Sequence, residues 1–356
     1  MIDSITGETG RRPTIADVAR AAGVGVATVD RVLNKRAAVR RDTAARVLAA
    51  AEAIGYHGAG LLRRRLDEAP AEKSFGFLLQ RRGDEFYREL AAALTGATRG
   101  LTRLRGRPVV EFVDDISAAT VAADIAALGA RVDVLAVVAA DHPRVTEAVA
   151  DLARRGVAVV TLLSEITGPV AGHFGIDSRK AGRTAGWVIR HLARETGGVG
   201  ILVGSHRFLD HELSEISFRS YMRECAPGFR LLESFSNLED PGLAHEGTLE
   251  LLKRNPDLVG IYLAGGGMAG MVAALREARR ERHIVAVCNE LVPETRAALV
   301  DGILDAVIAT PIAQLAERAV EAMADLVLDG SGPAVPVLLP FGLFVSENLP
   351  EWPGRR

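Results

Sequence analysis

The sequence predicts a small all-α head joined to a larger, two-lobed α/β body, and three observations carry that expectation. Residues 14–56 place apolar side chains at helical spacing on either side of Gly23. From Ser74 onward, short apolar runs alternate with amphipathic stretches, the pattern of βαβ units and parallel sheets. Charge divides at the same place. Residues 1–66 hold twelve Lys and Arg against six Asp and Glu, a net +6, while the rest of this 356-residue chain carries −8. A basic head on an acidic body suits a small module that meets phosphate.

The head reads as three short helices behind a polar, Gly-rich tail at 1–12. The tail has no apolar core of a secretory signal. Thr14 is a good N-cap, and Ile15, Val18, Ala19 and Ala22 follow on one face. Gly23 breaks this helix because glycine tolerates the positive φ of a tight turn. A second helix runs from Val26 to Asn34, then a basic loop from Lys35 to Arg40. Asp42 or Thr43 starts a third, with Ala44, Val47, Leu48, Ala51 and Ile54 inward, Gly55 ending it and Tyr56 packing back. The head is thus expected at 13–57, with a charged linker at 58–73.

In the body, apolar runs at 75–79, 109–113, 134–138, 157–163, 199–203, 258–263, 284–287 and 306–308 read as strands. They exceed one ordinary sheet, so two lobes are expected. Cys225 and Cys288 stand too far apart in sequence for a disulfide framework, which fits a cytoplasmic protein. No apolar stretch is long enough to span a membrane. No P-loop, GxGxxG or nucleophile elbow is present, so an enzyme, a nucleotide cofactor or a metal site is not expected. His206 and His211 read as surface histidines.

The strings PTIADVARAAGVGVATVDRVLN and TAARVLAAAEAIGYH closely resemble the lac-repressor (LacI) family of bacterial regulators. The resemblance implies a helix-turn-helix whose second helix enters the DNA major groove, with Val26, Ala27 and Arg31 on its exposed face. Arg31 is expected to pair with guanine, and Val26 and Ala27 to touch thymine methyls. Thr14, Thr28 and Asn34 are expected on phosphates. Gly25 and Asp30 depart from the family, which has serine at both places. The linker of such proteins wedges a leucine into a base step. Leu61, Leu62 and Leu66 are the candidates here, with Leu62 and Leu66 foremost, and packing of these leucines on the body is the other reading.

Residues 74–350 resemble the periplasmic sugar-binding-protein fold that this family carries as its effector domain. The resemblance implies a first lobe at about 74–175 and 311–330, a second at about 176–310 and 331–350, and a ligand cleft at the strand ends. The expected ligand side chains are Phe86, Tyr87, Asp141, Arg207, Glu212, Asn289 and Thr310, and the expected effector is a sugar or polyol. A helix cap before Pro143 is the second reading of Asp141, compatible with the first. Glu212 and Ser214 stand where sugar-binding relatives usually carry arginine. Gly265–Gly267 either opens space for a bulkier ligand or makes a tight strand-to-helix turn. The implied partners are a near-palindromic operator DNA, the effector and a second copy of the chain. Pro350 and Pro353 bar a C-terminal heptad helix, so a dimer and not a tetramer is expected.

Overall fold

The computed structural model describes residues 12–34, 39, 41–60, 63, 71–278, 283–330, 332 and 336–351. The chain forms two compact units with the main boundary between Glu72 and Lys73. The head holds α1 (Ile15–Ala22), α2 (Val26–Asn34) and α3 (Arg41–Ala53). Helix α1 starts at a reciprocal cap, where the Thr14 backbone N–H and Oγ1 donate to Asp17 Oδ2 at 2.9 and 2.7 Å. It stops at Gly23, whose φ of 64° is the left-handed turn that glycine adopts without strain. Arg46 of α3 donates through Nη2 to the Ala22 carbonyl at 2.8 Å, satisfying an acceptor that the helix end leaves open. Val18, Ala19, Ala22, Val29, Val47, Ala51 and Tyr56 close the core. The expected wedge leucines, Leu61, Leu62 and Leu66, lie outside the described residues, as does most of the loop at 35–40.

The body continues through β1 (Glu72–Gln80), α4 (Glu85–Arg99), β2 (Arg105–Val113), α5 (Ala118–Gly129), β3 (Val134–Val137), α6 (Pro143–Arg154), β4 (Ala158–Leu162) and β5 (Gly172–Ile176). The second lobe adds α7 (Ser178–Leu192), β6 (Gly198–Val203), α8 (Leu209–Cys225), β7 (Arg230–Ser236), α9 (Pro241–Arg254), β8 (Leu258–Ala264), α10 (Met268–Ala278), β9 (Val285–Asn289), α11 (Pro293–Val300) and β10 (Ala306–Ala309). Then come α12 (Ile312–Asp329), β11 (Val337–Leu339) and β12 (Gly342–Phe344). The strands form two six-stranded sheets, ordered β11-β5-β4-β3-β1-β2 and β12-β10-β9-β8-β6-β7. Central strands such as β3, β6 and β8 are buried throughout, which is why they read as unbroken apolar runs.

The chain passes between the lobes three times, at Asp177, at Thr310–Pro311 and at Pro340–Phe341. Helix α12 returns to the first lobe and packs on α4, β3, β4 and β5. The tail after it does not belong wholly to the second lobe, as the sequence suggests. Strand β11 pairs parallel with β5, Val337 opposite Phe174, while β12 pairs antiparallel with β10. The outer edge of β5 would otherwise expose unpaired backbone groups, and β11 satisfies them.

The second lobe packs tightly because small residues sit at its helix crossings. A Cβ on Gly182 of α7 would lie 2.0 Å from the Ser214 carbonyl oxygen of α8. That closeness lets Ser214 Oγ donate to the Ser178 carbonyl at 3.2 Å, fixing the start of α7 beside the cleft.

Candidate functional site

On the head, α2 buries Val29 and leaves Val26, Ala27 and Arg31 exposed on one side. Thr28 is half-buried, and Asn34 is the last residue of α2. Thr14 spends its hydroxyl proton on Asp17, so its oxygen lone pairs are what it offers to a partner. The exposed surface of α2 is short and small-chained at its start and ends in a guanidinium, which suits a groove-reading helix.

In the body, side chains from both lobes line one cleft of about 730 Å³, open mouth included. Asp84 caps α4 by accepting from the Phe86 N–H at 2.9 Å, which sets Phe86 and Tyr87 in the first turn. Both rings are buried and meet edge to face, 5.3 Å between centroids. From the second lobe, Asn289 Oδ1 accepts from Tyr262 Oη at 3.1 Å. Glu290 accepts from the Thr310 N–H at 2.9 Å and from Thr310 Oγ1 at 2.7 Å. Glu239 Oε1 accepts from the Gly266 N–H at 2.9 Å. His211 lies between two carboxylates, with Nε2 3.5 Å from Asp210 and Nδ1 3.6 Å from Glu239.

The electrostatics of the cleft are one-sided. Burial, and then the neighbouring carboxylates, push Glu290 up to about 7. Burial likewise raises Asp84, with Glu239 adding repulsion against the bond from Phe86. Tyr87 is pushed far up by burial and by the charges of Glu239, Asp84, Asp210 and Glu290. Burial alone would depress His211, but Asp210 and Glu239 outweigh it and raise the imidazole.

Of the residues singled out from the sequence, Phe86, Tyr87, Asn289 and Thr310 line this cleft. Asp141 does not. Its carboxylate accepts from the Thr167 N–H at 2.9 Å and Oγ1 at 2.7 Å, and its own N–H donates to the Arg207 carbonyl. His142, not Asp141, caps α6. Arg207 and Glu212 are exposed and outside the lining. His211 is no surface residue, whereas His206 is half exposed and paired with Glu215 at 2.6 Å. Sequence reasoning passed over Ser164, Ser178 and Glu239, and noted Ser214 only as a departure from the relatives. Extending the strand-end rule to the ends of β4 and β7 reaches Ser164 and Glu239. The triple glycine makes a turn with positive φ at Gly265 and Gly267, and the room it leaves is filled by Glu239 and His211. No three His, Cys, Asp or Glu among the described residues converge as metal ligands, and no described helix is long and apolar enough to cross a membrane.

Residues 75–331 match the family described as "Periplasmic binding protein domain", and residues 14–58 match "Bacterial regulatory proteins, lacI family". A 77-residue stretch is 42% identical to the HTH-type transcriptional regulator RegA of Clostridium saccharobutylicum, covering 22% of this chain and 23% of that protein. The fold is similar to GanP, a glucose-galactose binding protein from Geobacillus stearothermophilus, with a TM-score of 0.69 at 19% identity over 78% of this chain and 100% of that one. It is also similar to an ABC transporter solute binding protein from Agrobacterium vitis bound with α-D-tagatopyranose, with a TM-score of 0.71 at 19% identity over 78% and 95% of the two chains. A solute binding protein from Actinobacillus succinogenes with bound D-allose matches with a TM-score of 0.70 at 16% identity over 77% and 98%.

Proposed function

Since the chain belongs to the periplasmic binding protein domain family and carries a lacI-family helix-turn-helix at residues 14–58, we propose that it is a ligand-responsive transcription regulator. In this reading the head binds a near-palindromic operator as one half of a homodimer, and the body senses a sugar or polyol-like molecule. The observation that carries it is the coexistence, on one chain, of an exposed groove-sized helix face and a polar interlobe cleft. Repression is the simplest mode, because a dimer seated on an operator excludes other proteins from it. Ligand acts by changing lobe closure and so the angle at which two heads are presented. A solute carrier would have no use for the basic head.

Selection of the full chain on a random DNA library tests the proposal. Enrichment of a sequence with two related half-sites supports it, and no enrichment over bulk DNA overturns it. Within the selected site, Arg31→Ala is expected to cost about 1–3 kcal/mol and to relax preference at one base pair per half-site. An equal loss for every sequence makes Arg31 a phosphate contact instead.

A further inference from the structure

We propose that the cleft selects a positively charged polyhydroxyl ligand, a monosaccharide- or polyol-sized molecule bearing a protonated amine. The inference rests on reading the cleft as the effector site and narrows what that effector is.

Four carboxylates face the space, Asp84 from the first lobe and Asp210, Glu239 and Glu290 from the second. Among the described residues no Lys or Arg lines it. Arg81, outside the lining, donates through Nη1 and Nη2 to the carbonyls of Glu239 at 2.6 Å and Leu238 at 2.9 Å, and its buried Nε makes no hydrogen bond. His211 is the one basic ring present, and it already stands between Asp210 and Glu239. One imidazole does not balance four acids.

Two oxygens in this cleft are buried and make no hydrogen bond, Asp210 Oδ1 and Ser164 Oγ, and Ser164 is only 2% exposed. A buried polar atom without a partner is costly, so each points to a group that a ligand brings. An ionised carboxylate only accepts, so the group that meets Asp210 must donate. An ammonium offers three donors and no acceptor, and it relieves the mutual repulsion that burial leaves among the carboxylates. A carboxylate-bearing sugar would add like charge. A metal ion is not served, since no three such ligands converge among the described residues. The hydroxyls of Ser164, Ser178, Ser214 and Thr310, with Asn289, remain for the neutral part of the ligand.

The test is calorimetry and thermal melting of the full chain in phosphate buffer at about pH 7, where the amine probes still carry their proton. Probes come in matched sets: D-glucosamine, D-glucose, N-acetyl-D-glucosamine and D-glucuronate; the galactose counterparts; and Tris against its neutral isostere pentaerythritol. At least one amine is expected to bind at least about tenfold tighter than its neutral partner, the difference of one charge-assisted bond. Asp210→Asn should remove that preference while leaving the melting temperature of the free protein within a few degrees. Equal binding of the neutral or N-acetylated partner, or preference for the uronate, overturns the charge proposal and leaves the polyol reading standing. If no member of any set binds, the polyol reading itself falls, and this proposal with it.

Discussion

Burial holds the Glu290 carboxyl at about 7, against 4.5 for an ordinary glutamate. The folded state therefore binds this proton more tightly than the unfolded chain does. The resulting stabilisation is complete below pH 4.5 and is lost as pH rises through about 7. Glu290→Gln keeps an oxygen to accept from Thr310 but cannot ionise. In urea melts the variant is expected to lose the decline in stability between those two pH values, and above pH 7 to exceed the parent by about 3 kcal/mol. A parallel pH dependence in the two proteins would remove Glu290 as its source. At this scale the sequence exposed only part of the site. The strand-end rule leads to Phe86, Tyr87, Asn289 and Thr310, because backbone direction alone brings them to the cleft. It does not resolve Glu212 from His211, one residue apart on α8, because helix phase turns one to solvent and the other inward. Glu239 is harder still. It arrives on a turn where two successive non-glycine residues, Leu238 and Glu239, have φ of 52° and 62°, and composition carries no mark of that.

Between elements, contact distances decide which substitutions are tolerated. At the α7–α8 crossing the atom facing Gly182 is a backbone oxygen, which cannot rotate aside. Gly182→Ala must push the two helices apart, with an expected loss of about 1–3 kcal/mol read as a lowered urea midpoint. An unchanged midpoint would mean that the crossing is looser than 2.0 Å implies. Elements also differ in how plainly the sequence shows them. Buried central strands are continuous apolar runs and were legible, as were the head helices with their glycine punctuation. Strand β7 reads RLLESFS and is only partly covered, and β11 and β12 have three residues each. Strand β5, GHFGI, carries a histidine and two glycines. Such strands are made by a neighbour's open edge more than by their own hydrophobicity, so a pattern read along the chain passes over them.

Polar ties join the two lobes of the body. Arg81, itself at a φ of 37°, reaches from the first lobe to the carbonyls of Leu238 and Glu239 in the second. Arg81→Met keeps most of the aliphatic length and deletes both bonds. The free variant is expected to open, with a larger radius of gyration in small-angle scattering and a severalfold weaker ligand, since closure must then be driven by binding. An unchanged scattering curve would show that the remaining contacts, the bond from the Asp141 N–H to the Arg207 carbonyl among them, close the lobes without Arg81. Assembly is tested at the same scale: light scattering of the full chain should report twice its 37.8 kDa mass, and a stable monomer on operator DNA would refute the dimeric mode of binding.

The return of α12 to the first lobe sets an order of events during synthesis. The head core is complete once α3, Tyr56 and Ala59 have left the ribosome. The first sheet is different. Its strands β1 to β5 are all made by residue 176, yet the helix that covers β3, β4 and β5 ends at Asp329, and its edge strand β11 at Leu339. Through the translation of the whole second lobe, an apolar sheet face waits without its cover. Domains usually fold in order as they emerge. Here the helix-turn-helix is complete early and the interlobe cleft late, so each nascent chain passes through an interval in which it has the one without the other.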